Sequence, residues 1–301
     1  MPDLSREEVA IVRVVATRNP RDFIWKWASS PEGDLTLVVL HWMKDANFIE
    51  LNSKPLRATM GNAPGFPASK PNTVADNSPR TAPTSSFEKL SGEELEAHMG
   101  VFRYGAFDLT DAVRPSYDLQ VVPKQGFRHD SYLDPKTNTE VPVIMAAASR
   151  ERLFELFMDL IDCLGTEVDV VLETSHRGDS GEHDDRYREC IDVPVLKSIL
   201  YDHEDLLTND GCTGIAILNP SKQQEIQFDE HKMLLCYGHP LEKFEKVLIE
   251  HDVYPDKDIR FISEAEHVHS STDTMSREFD RLQASLGIDD GFDCEGYSDA
   301  H

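Results

Sequence analysis

Apolar residues are spaced differently in different stretches of this chain, and those differences predict where it folds. Near the N-terminus, Asp34 to Met43 (DLTLVVLHWM) is rich in Leu, Val and Trp and reads as a buried strand. Ahead of it, Ser5 and Glu8 have the spacing of a capping box, which predicts a helix start. The Val- and Ile-rich run after Glu8 has only middling helix propensity. Trp25 and Trp27 flank Lys26, so both rings would share one face of an extended segment, where core packing is their expected use. Residues 1–53 thus read as a small α+β segment.

Residues 54–90 lose the pattern. Pro, Ser, Thr, Asn and Ala dominate, and such a stretch buries too little apolar area to offset the entropy of ordering it. A linker or long loop is expected there. Structure resumes at Ser91, which forms a second capping box with Glu94, and two short strand-like runs follow (VFRYGAFDL, YDLQVVP).

From Val141 the pattern turns regular. VPVIMAAA reads as a strand, and Ser149 is placed to cap a helix whose Leu153, Phe154, Phe157, Leu160, Ile161 and Leu164 recur at helical spacing up to Gly165. EVDVVLETS is the next strand, HRGDSGEHDDRYREC a polar loop, and a helix is predicted from about Asp192 to Thr208. Three strands follow (CTGIAILNP, EIQFDE, HKMLLCYG), then a helix after Pro240, a strand over DIRFISEAEHVH and a last helix over about 274–286. Strands alternating with helices, interrupted by a hairpin, predict an α/β (or α+β) fold with a mixed sheet in the C-terminal half. The main domain is expected over residues 91–288, followed by an acidic, frayed tail over 289–301.

Charge sharpens this division. Residues 1–150 carry 17 Lys+Arg against 19 Asp+Glu, whereas residues 151–301 carry 13 against 36. The second half also holds 9 of the 12 histidines and all 5 cysteines. So acidic a surface repels nucleic-acid backbones and anionic membranes, so neither partner is expected. A basic protein or a cation is the natural companion. The cysteines are odd in number, widely spaced and form no CxxC pair, which favours reduced thiols in the cytoplasm over a disulfide framework. MPDLSREEVA shows no basic region leading into an apolar run, so no secretory signal is expected. No apolar stretch approaches the roughly 20 residues that span a bilayer.

The strongest metal-binding pattern is FISEAEHVH. If this strand persists to its end, His267 and His269 point the same way and can grip one ion, with Glu264 and Glu266 on the opposite face. Glu173 and His176 end another predicted strand. Were the two strands parallel neighbours, four N/O ligands would converge, a set suited to zinc, manganese or iron. Glu264 is then the candidate general base. Asp229-Glu-His231 reads as a charged turn between strands, and Gly211-Cys-Thr-Gly214 as a tight turn. Gly178-Asp-Ser-Gly181 resembles the GDSG around the nucleophile of chymotrypsin-like serine proteases over four residues. That family's two β-barrels do not match the α/β pattern here. Two functions follow as expectations: a binding or regulatory module whose acidic face meets a basic protein, and a metal-dependent hydrolase.

Overall fold

A computed structural model describes the backbone of residues 10–15, 23–29, 35–41, 85–134, 139–176 and 184–288, and the side chains of 85–131, 140–176 and 185–288. The Ser5–Glu8 capping box, most of the Pro-rich stretch, the GDSG tetrapeptide and the acidic tail lie outside these residues.

Three N-terminal strands come first: β1 (Ala10–Val15), β2 (Phe23–Ser29) and β3 (Leu35–His41). Where the capping box predicts a helix, β1 is a strand; its AIVRVV run is β-branched, and β1 pairs with a strand on each side. Helix α1 (Gly92–Met99) opens on the expected box, with Ser91 accepting from Glu94 N and Glu94 accepting from Ser91 N. Short strands β4 (Arg103–Tyr104), β5 (Phe107–Asp108) and β6 (Val113–Pro115) make up the irregular region.

The regular half begins with β7 (Gly126–Asp134), β8 (Thr139–Ala147) and α2 (Arg150–Asp162). Ser149 precedes α2 as expected, but its hydroxyl accepts from Asp108 N instead of capping the helix. Then come β9 (Glu167–Thr174), β10 (Asp184–Asp192), α3 (Val193–Asp202) and α4 (Glu204–Asn209). The single helix expected over 192–208 is therefore broken at His203, and part of the expected polar loop is β10, held along β9. Strands β11 (Thr213–Asn219), β12 (Gln224–Phe228) and β13 (Leu234–Tyr237) follow, then α5 (Glu242–Glu250), a 3-10 turn at Ile262–Glu264, β14 (His267–Thr272) and α6 (Asp273–Ser285).

The class is α+β, as the alternation of elements implies. Seven strands form one sheet in the order β10-β9-β11-β12-β13-β8-β7, and five form another in the order β3-β2-β1-β14-β6. Strand direction departs from the expected mixed sheet. Every pairing within both sheets is antiparallel, because β11, β12 and β13 are joined by tight turns and β9 pairs with β11 antiparallel. Nor are β9 and β14 parallel neighbours: they belong to different sheets.

Helix α2 buries five of the six apolar positions its period predicts, with Leu156 and Met158 besides, and the sixth, Leu164, is buried just past its end. They pack on the sheet residues Ile215, Ile217, Ile226, Phe228 and Leu234, with the Phe157 and Phe228 rings 5.1 Å apart. On the sheet's other face, Val143, Met145, Met233, Leu235 and Tyr237 pack with Ile259 and Phe261. On β14, Val268 packs against Phe87 and the α1 residues Leu95 and Met99. The alternation of a strand then turns His267, His269 and Ser271 to the opposite face. Among the described residues no helix is long and apolar enough to cross a membrane.

Candidate metal centre

That row on β14 faces two tight turns of the seven-stranded sheet. One joins β12 to β13 and carries Asp229 to Met233; the other enters β11 and carries Asp210 to Cys212. Their backbones are fixed by close contacts. Gly211 N donates to Ser270 O at 2.8 Å, and a Cβ at this position would lie 2.4 Å from Ala112 O and 2.8 Å from Ser270 O. A side chain here would hold the turn away from β14. In the other turn, Asp229 accepts from Lys232 N and from Met233 N.

These turns bring His231 to His267 and His269. The three rings lie 4.8–4.9 Å apart, centroid to centroid, and each residue offers a ligand atom within 4.8 Å of the other two. Each Nδ1 has an acceptor: Ala265 O for His267 (2.7 Å), Gly211 O for His269 (2.7 Å) and the Asp229 carboxylate for His231 (2.9 Å). A carbonyl or carboxylate oxygen can only accept, so Nδ1 carries the proton and Nε2 carries the lone pair that can ligate. His267 Nε2 is buried with no hydrogen-bond partner. Burial holds His267 well below its ordinary pKa, helped by the neighbouring His231 and His269 and opposed by the Ala265 carbonyl. A neutral imidazole is the form that binds a metal.

Carboxylates crowd the site. Glu173 lies opposite Gly214 and Asp185 in the sheet, and a Cβ on Gly214 would come within 3.1 Å of its Oε2. Burial, then the charges of Asp185, Glu230, Asp229 and Glu225, push its carboxyl well above the ordinary range. Lys232 is the buried cation among them. Its Nζ donates to Thr213 O at 2.8 Å, and burial lowers it to about 8 against the pull of Asp210, Asp229 and Glu230. Beside His231 and Lys232 lies a cavity of about 40 Å³, room for a few waters. Apolar side chains such as Leu109, Val113 and Phe261 line it, together with Thr110 and Arg260.

The chain matches no family model, no curated protein and no solved structure.

The structure distributes the sequence candidates over three places. His267 and His269 share a face and meet His231. His176 lies in the neighbouring group, with its Nε2 2.9 Å from Asp210 Oδ2 and 3.2 Å from Ser271 Oγ. Glu173 abuts the turn that carries His231. Glu264 stands apart from the histidines in its bonding: Oε1 accepts from Arg128 at 2.6 Å and Oε2 from Phe261 N at 3.0 Å. The expected strand over 258–269 breaks into a 3-10 turn there, and Glu264 is bonded to Arg128 and Phe261 N. Sequence reasoning assigned His231 and Cys212 to turns and did not weigh Asp210 or Lys232. The one local signal for His231 was Asp229 two positions earlier, a carboxylate placed to orient the ring.

Proposed function

We propose that this chain is a metal-dependent hydrolase whose ion is held by His231, His267 and His269. The observation that carries the reading is the convergence of three imidazoles from two sheets, each with Nδ1 held by an acceptor. That is how metal-ligating histidines are oriented. The neutral nitrogen donor set favours zinc among the divalent ions considered. A zinc ion on three protein ligands supplies Lewis acidity and lowers the pKa of a water in its open position.

The remaining work falls to the chain. Asp229 fixes the tautomer of His231, and the Ala265 and Gly211 carbonyls do the same for His267 and His269. The cavity beside His231 has room for a few waters, and a substrate would approach the ion from it. Lys232, lining it, would supply the nearest buried positive charge to offset negative charge developing on a substrate, with its Nζ held by Thr213 O.

The test is zinc content and turnover in the full chain. Wild type loaded with zinc and dialysed should hydrolyse at least one of a set of activated ester, amide and phosphate probes; His231→Gln should lose one zinc equivalent and that activity while remaining folded. Unchanged zinc content in His231→Gln overturns the metal assignment. Zinc lost from His231→Gln, with no probe hydrolysed by wild type, overturns the hydrolytic role.

Binding of a basic protein remains a second proposal, supported by carboxylates that stay more than half exposed, among them Asp159, Asp162 and Glu250. Salt-sensitive capture through residues 151–301 tests it, and equal recovery at low and high salt refutes it.

A further inference from the structure

The face of β14 that carries His267 and His269 continues to Ser271, and there it meets a second set of donors. His176, Asp210 and Cys212 offer nitrogen, oxygen and sulfur atoms within 4.8 Å of one another. The His176 and Asp210 side chains are 2% and 0% exposed, and Cys212 is buried. Nε2 of His176 and Oδ2 of Asp210 stand 2.9 Å apart, so a proton or a cation lies between them. Two donors at metal bonds of about 2.0–2.2 Å, set at roughly a right angle, are separated by about that distance.

Two observations favour the cation. Asp210 Oδ1 is buried with no hydrogen-bond partner, an expensive state for a carboxylate oxygen and one that a chelated ion relieves. The supporting groups are in place: Thr213 Oγ1 donates to Asp210 Oδ2, and Thr174 Oγ1 holds His176 Nδ1 at 2.7 Å. We propose that His176, Asp210 and Cys212 form a second zinc site, with water as the remaining ligand. It is distinct from the three-histidine site and joined to it by one turn: Asp210 and Cys212 are donors here, and the Gly211 carbonyl between them holds His269. A histidine, a carboxylate and a thiolate form a mixed set that zinc accepts and that calcium or magnesium does not.

Cobalt(II) substitution reads the two sites separately, because only the second provides a thiolate. The full chain, loaded with cobalt and dialysed, should bind two equivalents and show a near-ultraviolet thiolate-to-cobalt charge-transfer band. Cys212→Ser should lose the band and one equivalent; His231→Gln should keep the band and lose the other equivalent. Cys212→Ala serves if the serine variant does not fold. No sulfur band in wild type, or unchanged stoichiometry in folded Cys212→Ser and Cys212→Ala, overturns the second site and leaves the three-histidine site standing. Loss of both equivalents in folded His231→Gln overturns the independence of the two sites.

Discussion

Replacing Asp229 by Asn tests the logic of the three-histidine site without touching a ligand. The carboxylate performs two tasks, accepting from His231 Nδ1 at 2.9 Å through Oδ2 and from Met233 N at 2.8 Å through Oδ1. An amide has one oxygen for these two donors. If that oxygen stays on Met233 N, which closes the turn, the amide nitrogen faces His231 Nδ1. Two N–H groups cannot face each other, so His231 shifts its proton to Nε2 and loses the lone pair aimed at His267 and His269. Losing such an outer partner costs about 10–100-fold in metal affinity, equivalent to about 1.4–2.7 kcal/mol. The metal-free fold should suffer less, about 1 kcal/mol for one replaced hydrogen bond. Zinc competition against a chromophoric chelator measures the first quantity and urea unfolding of metal-free protein the second, while nitrogen-15 NMR reads the tautomer. A zinc affinity within about twofold of wild type, in a folded variant whose His231 proton has moved to Nε2, would refute the reasoning.

Two further substitutions test other parts of the structure. Gly211→Ala places a methyl 2.4 Å from Ala112 O, so it should cost about 1–3 kcal/mol in chemical denaturation and weaken metal binding through His269; wild-type stability would show that the turn does not approach β14 this closely. Glu225, on the sheet face opposite α2, is raised from 4.5 to about 7 by burial, against a hydrogen bond from Gln227; Tyr237 stands opposite it in the register, and Glu173 feels its charge. The folded chain thus keeps a proton that the unfolded chain releases between about pH 4.5 and 7, so stability falls as pH rises through that window, by at most about 3 kcal/mol. Glu225→Gln should flatten much of the fall in urea midpoint between pH 5 and 8; a variant with the same fall as wild type would refute the assignment.

Features set by near neighbours in sequence were legible before the fold. The apolar period of α2, the Ser91–Glu94 box and the runs that became β11, β12 and β13 each declare themselves within a dozen residues. Features decided by distant partners were not. The acidic DDRYRECID segment has no apolar pattern to mark it as a strand, and only its ladder along β9 makes it one. FISEAEHVH looked like one continuous strand, yet Arg128 and Phe261 N draw Glu264 into a 3-10 turn and leave only its end to pair with β1 and β6.

The same distinction applies to the site, and it explains which histidine was missed. His267 and His269 are two apart on a strand, so their common face follows from the period alone. Their third partner comes from a turn in the other sheet, and His231 was legible only as a charged residue in that turn. What brings it within reach is a backbone packed as closely as Gly211 allows between Ala112 and Ser270, with the Gly211 carbonyl left to hold His269. A residue with no side chain thus sets the separation between the elements that carry the donors, while Asp229, outside the donor set, decides which nitrogen of His231 faces it. Metal affinity should therefore be as sensitive to Gly211→Ala as to Asp229→Asn, although neither residue is a ligand.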